Sequence, residues 1–102
     1  MTSRLRIPLL ENVTANSNGA TKPWYSYGLG TLHVFGTWDT ATVTIEGSTD
    51  EGVTWTPVTG GVFTEDKITS FEAGEIEVRA VVSSVGASTD LTAYLIPQTL
   101  TF

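Results

Sequence analysis

Apolar and polar side chains alternate with a period of two in four separate stretches of this chain. Leu5, Ile7 and Leu9 lie on one side of the first stretch, with Arg4 and Arg6 on the other. Ala41, Val43 and Ile45 alternate with Thr42, Thr44 and Glu46. Ile76, Val78, Ala80 and Val82 alternate with Glu77, Arg79 and Val81, and Leu91, Ala93 and Leu95 with Thr92 and Tyr94. Successive side chains of an extended chain point to opposite faces, so this spacing predicts strands with one face on a core. No stretch carries the i, i+3, i+4, i+7 spacing of an amphipathic helix. The frequent Thr and Val residues suit a pleated, half-buried surface.

Turn-forming residues separate these runs. Asn16-Ser17-Asn18-Gly19, Gly60-Gly61, Glu65-Asp66-Lys67, Ala73-Gly74 and Ser83–Thr89 read as turns or loops. Gly28 and Gly30 interrupt an aromatic stretch, where a bulge or a close backbone approach is expected. Pro97 lacks an N–H and suits an edge or a strand end. The expected strands are 4–13, 24–36, 41–47, 53–58, 61–64, 67–71, 75–83 and 90–96, with 98–102 as a ninth. Short antiparallel strands at this spacing predict an all-β, two-sheet sandwich, a jelly roll of about eight strands, with an immunoglobulin-like arrangement as the alternative. Residues 1–20 form an N-terminal strand or arm and residues 21–102 the sandwich, within a single domain.

The octapeptide Ser48-Thr49-Asp50-Glu51-Gly52-Val53-Thr54-Trp55 follows the run ending at Glu46. A tight turn uses an Asp that accepts its own amides and a Gly that tolerates positive φ. Trp55 is then expected to open the next strand by burying its indole. Ser48, Asp50, Gly52, Thr54 and Trp55 are the structural residues of this hairpin. The pattern resembles the Asp-box, a β-hairpin motif of sialidase-type propellers and of unrelated β proteins, where it is structural and lies away from the chemistry. Propellers repeat the motif, whereas it occurs once here, in a chain of 102 residues.

Charge and composition exclude several functions. The net charge is −6, and Arg4, Arg6, Lys22, Lys67 and Arg79 are the only basic residues. Binding to nucleic acid needs clustered cations and is not expected. No apolar run reaches the ~20 residues of a membrane helix, and none of about 7–15 follows the N-terminal arginines as in a secretory signal. Neither membrane association nor secretion is expected. With no cysteine there is no disulfide, thiolate nucleophile or thiolate ligand. The one histidine, His33, lies mid-strand opposite in phase to Leu32 and Val34, so a solvent-facing or interface position is expected. A lone histidine makes neither a His-based zinc site nor a convincing triad, so no enzyme activity, metal or cofactor is expected. Asp50 and Glu51 could offer oxygens to calcium, but the amides of their own turn account better for Asp50.

Two features suggest a surface that binds. Pro23-Trp24-Tyr25-Ser26-Tyr27 places three aromatic rings within four residues, with Trp38 further on. In strand alternation Tyr25 and Tyr27 share one face and Trp24 takes the other. These rings serve either the core and sheet flank or an interface or carbohydrate platform. Arg4 and Arg6 form a basic extended arm on an acidic domain. That arm either docks on an acidic neighbour or protects an edge strand from aggregation.

The segments Gly36–Ser48, Gly52–Val58, Glu77–Ser83, Gly86–Thr89 and Leu91–Tyr94 resemble small virion proteins of tailed bacteriophages. In that group a Thr-rich strand, the Asp-box turn and a VRAVVS strand recur in this order. The resemblance covers roughly half of the chain and leaves out its first 30 residues. It implies a structural capsid decoration (cement) protein, made in the host cytoplasm and placed on the outer capsid surface of the virion. It further implies a homotrimer bridging subunits of the major capsid protein, with a tail or head-fibre position as the other virion location. A carbohydrate-binding module is the alternative from another class, with Trp24, Tyr25, Tyr27 and Trp38 facing the glycan.

Overall fold

The structure is a computed structural model that describes residues 5–25 and 27–98. Its strands are β1 (Ile7–Val13), β2 (Lys22–Pro23), β3 (Leu29–Thr37), β4 (Thr42–Ser48), β5 (Thr56–Phe63), β6 (Lys67–Glu72), β7 (Glu77–Ser83) and β8 (Asp90–Pro97). One sheet has the order β1-β8-β3-β6 and the other β2-β7-β4-β5. Every pairing is antiparallel, and no helix forms among the described residues. The expected all-β, two-sheet sandwich is therefore the fold. The order is nested: β1 pairs with β8, β2 with β7, β3 with β6 and β4 with β5. The chain is thus doubled back on itself about the β4–β5 hairpin, with partners of each level in one sheet.

The period-two pattern decides what lies between the sheets. Val43 and Ile45 of β4, Val78, Ala80 and Val82 of β7, and Leu91, Ala93 and Leu95 of β8 are buried in one cluster. Leu9 and Leu10 of β1, Leu32 and Val34 of β3, Ala41, Phe63, Phe71 and Trp24 complete it. Each buried Val, Leu, Ile or Phe contributes about 1.5–3 kcal/mol through removal of apolar area from water.

Three departures from the sequence expectation have local causes. In β1 both Leu9 and Leu10 are buried, because the register against β8 slips between Pro8 and Leu10 and turns two consecutive side chains inward. Gly60-Gly61 does not end a strand: β5 runs through it as one element, with the irregularity opposite Thr44–Glu46. Trp24, Tyr25, Tyr27 and Gly28 are not in a strand, so β3 begins later than residue 24, and the two-residue β2 at Lys22–Pro23 is too short to leave a period. Gln98 lies outside any strand. Residues 99–102 of the expected ninth strand, and Arg4, lie outside the described residues.

Candidate functional site

The Ser48–Trp55 turn is built by its own side chains. The Ser48 hydroxyl donates to Asp50 Oδ1 at 2.7 Å and accepts the Gly52 amide at 2.9 Å. The Thr54 amide donates to the same Asp50 oxygen at 2.8 Å, closing the loop onto its own carboxylate. The Thr54 amide first, then the Ser48 hydroxyl, lowers the Asp50 pKa from 3.8 to about 2, because both donate to the charged form. Glu51 and Gly52 take positive φ, as the reversal requires. Trp55 departs from the expected burial. It is only half-buried, donates Nε1–H to the Gly52 carbonyl at 3.0 Å, and carries the Arg79 guanidinium over its ring at 4.3 Å. Arg79 in turn pairs with Glu46 at 2.8 Å, its neighbour in the β4–β7 register. The indole thus braces the outer face of the second sheet and takes no part in the core.

The aromatic residues Trp24, Tyr25, Tyr27 and Trp38 do not form one surface. Trp24 is fully buried at 0% exposure and meets Tyr27 and Phe71 edge-on, with centroids 5.0 and 5.2 Å away. Its Nε1–H donates to the Gly28 carbonyl. Gly30 makes room for it: a Cβ there would lie 2.8 Å from the indole and 2.6 Å from the Ile96 carbonyl oxygen. Tyr25, Tyr27 and Leu29 are exposed around this plug. Trp38 follows the other end of β3, half-buried against the core. Its Nε1–H donates at 2.8 Å to Asp66 Oδ1, which also accepts the Gly36 amide. Trp24 is therefore closed to any ligand, and Trp38 works as a latch between β3 and the β5–β6 turn.

The strand register reveals a different surface, on the outside of the β1-β8-β3-β6 sheet. Pro8 lies opposite Tyr94, Tyr94 opposite His33, and His33 opposite Ile68. Directly opposed residues share a face. Since Leu32, Val34 and Leu95 point into the core, this row across all four strands points out. Phe35 extends it along β3, its ring 4.5 Å from His33 and 6.2 Å from Tyr94. The Arg6 guanidinium lies 4.3 Å above the Tyr94 ring. Ile68 is 66% exposed. His33 thus takes the outward position expected of it. Sequence reasoning singled out neither Phe35, Tyr94 nor Ile68. The available signal was the appearance of Phe35 and Tyr94 on the polar phase of their strands, in step with Thr31 and Thr92.

Among the described residues no three His, Asp or Glu side chains gather where they could hold a metal ion. The outward row instead offers tilted rings, one guanidinium and one phenol, which suits contact with a flat apolar or ring-bearing partner. Comparison of the chain with family models, with curated proteins and with solved structures finds no match.

Proposed function

We propose that this protein is a structural docking module, and specifically a decoration (cement) protein on the capsid of a tailed phage. The observation that carries the reading is the row Pro8–Tyr94–His33–Ile68 with Phe35 and Arg6, a partly exposed, ring-bearing band that crosses an entire sheet with no layer over it among the described residues. Contiguous exposed apolar patches mark interaction sites, and Tyr, Phe and Arg are the side chains enriched at them. The nested strand order supports the finer reading of the fold as a jelly roll. In the proposed role the band seats on the major capsid protein, and three copies around a junction multiply a modest contact through avidity.

The test is cosedimentation of the purified protein with expanded, undecorated capsids. Wild type is expected to pellet with the shells, while Tyr94→Ala combined with Phe35→Ala stays in the supernatant with its fold intact by circular dichroism. A wild-type protein that never pellets, or a variant that pellets equally well, overturns the proposal. One observation favours a second reading: the His33, Phe35 and Tyr94 rings are only 33° and 35° apart in plane and could lie under a sugar ring. In a carbohydrate-binding module the platform then comprises these residues and not the buried Trp24. Binding in a glycan screen that is abolished by Tyr94→Ala would select it.

A further inference from the structure

Each sheet of an open sandwich has two edges whose unpaired N–H and C=O groups can accept another strand, and proteins normally blunt them. Three of the four edges here are blunted. β1 contains Pro8 and two register shifts. β2 is two residues long and contains Pro23. β5 contains Pro57 and the Gly60-Gly61 irregularity. β6 differs. It has no Pro or Gly, and it pairs with β3 in unbroken register from Leu29–Glu72 to Val34–Lys67. Its other side has no strand beside it among the described residues.

The surroundings of this edge say what would cover it. Glu65, Asp66, Glu72 and Glu75 are exposed about β6, against the single cation Lys67. A second β6 edge laid beside this one would bring like charges together and be repelled. A basic segment would be attracted, and the sequence carries one in Arg4-Leu5-Arg6. That segment leads into β1, which forms the opposite edge of the same sheet. Three strand spacings, about 14 Å, separate the β1 and β6 edges, which lie on opposite sides of one copy.

We propose that residues 1–6 of one copy add as a strand to the β6 edge of a neighbouring copy, joining copies head to tail. In an extended arm Arg4 and Arg6 share one face and Leu5 takes the other. Beside β6 the arginines align with Ser70 and Glu72 on the outer side, and Leu5 turns toward Phe71 at the rim of the core. Arg6 gives up its exposed stack on Tyr94, a weak contact. Main-chain hydrogen bonds supply the attraction of strand addition, and the charges supply its choice of partner. Because donor and acceptor differ, the interface is heterologous. It closes into a ring if its rotation permits and otherwise propagates. The inference concerns contacts between copies and stands whether or not a capsid is the assembled protein's partner.

The experiment uses the full chain without capsids. Native mass is measured from micromolar to sub-millimolar concentration, with hydrogen exchange of the 67–72 amides at both extremes. Wild type is expected to associate, with those amides protected as it does so. Arg4→Glu with Arg6→Glu is expected to weaken association by at least roughly tenfold, and so is Glu72→Lys with Glu75→Lys. The chain carrying all four substitutions is expected to recover it. A monomer at every concentration overturns the proposal. So does an oligomer that ignores the charge reversals or leaves the 67–72 amides unprotected, and the wild-type exchange measurement reads this without any variant.

Discussion

Trp24 and Trp55 divide structural labour in a way their neighbours in sequence do not reveal. Trp24 fills the end of the sandwich at 0% exposure, so Trp24→Ala leaves a cavity and is expected to cost about 3–5 kcal/mol in urea unfolding. Trp55 contributes a single hydrogen bond and a half-buried stack under Arg79, and Trp55→Ala is expected to cost about 1–2 kcal/mol. Equal losses would mean that the two indoles are equally buried. Asp50 adds a dependence on pH. Its carboxyl titrates at about 2 in the fold against 3.8 ordinarily, so the folded state binds fewer protons between those values. The stabilisation of the turn is complete above pH 3.8 and is lost as pH falls through about 2. An NMR titration of Asp50 checks this directly, and Asp50→Asn should flatten the acid limb of the stability curve.

At the level of strands, backbone approach matters as much as side-chain pattern. In the β3–β8 ladder Gly36 lies opposite Leu91 with φ +139, and a Cβ there would lie 2.1 Å from the Asp90 carbonyl oxygen. Gly36→Ala is therefore expected to destabilise by more than about 1 kcal/mol, a fall in Tm of at least roughly 4 °C in a domain of this size. Gly74→Ala is the control: nothing lies within 4 Å of its Cβ position, and its midpoint is expected to stay or rise slightly. Differential scanning calorimetry of the two variants separates a required glycine from an ordinary turn residue. The β4–β5 hairpin was legible from the octapeptide because its bonds are local. Its continuation was not, since the passage of β5 through Gly60-Gly61 depends on β4 lying alongside.

The nested topology governs the behaviour of the folded chain. β1 pairs with β8, so Ile7 must meet Leu95 before the β1-β8-β3-β6 sheet is complete. Long loops must close before these contacts reward them, and folding is expected in milliseconds to seconds. Both sheets share one core, so unfolding is expected in a single transition. Stopped-flow tryptophan fluorescence and far-UV circular dichroism should give coincident rates and midpoints. Separate transitions would show that the two sheets melt apart.

Much of the fold was written in local order. The alternation in β4, β7 and β8, the turn residues and the Ser48–Trp55 octapeptide determined strands, inward faces and the hairpin, because each depends on residues a few positions apart. Which aromatic rings become neighbours had no such record. Trp24 is buried because Gly30 and Phe71 surround it, and Trp38 is tied to Asp66 from another turn. Tyr94 meets Pro8 on one side and His33 on the other only once β8 lies between β1 and β3. Which strands become neighbours is decided by the joint packing of both sheets, and no period along the chain encodes it.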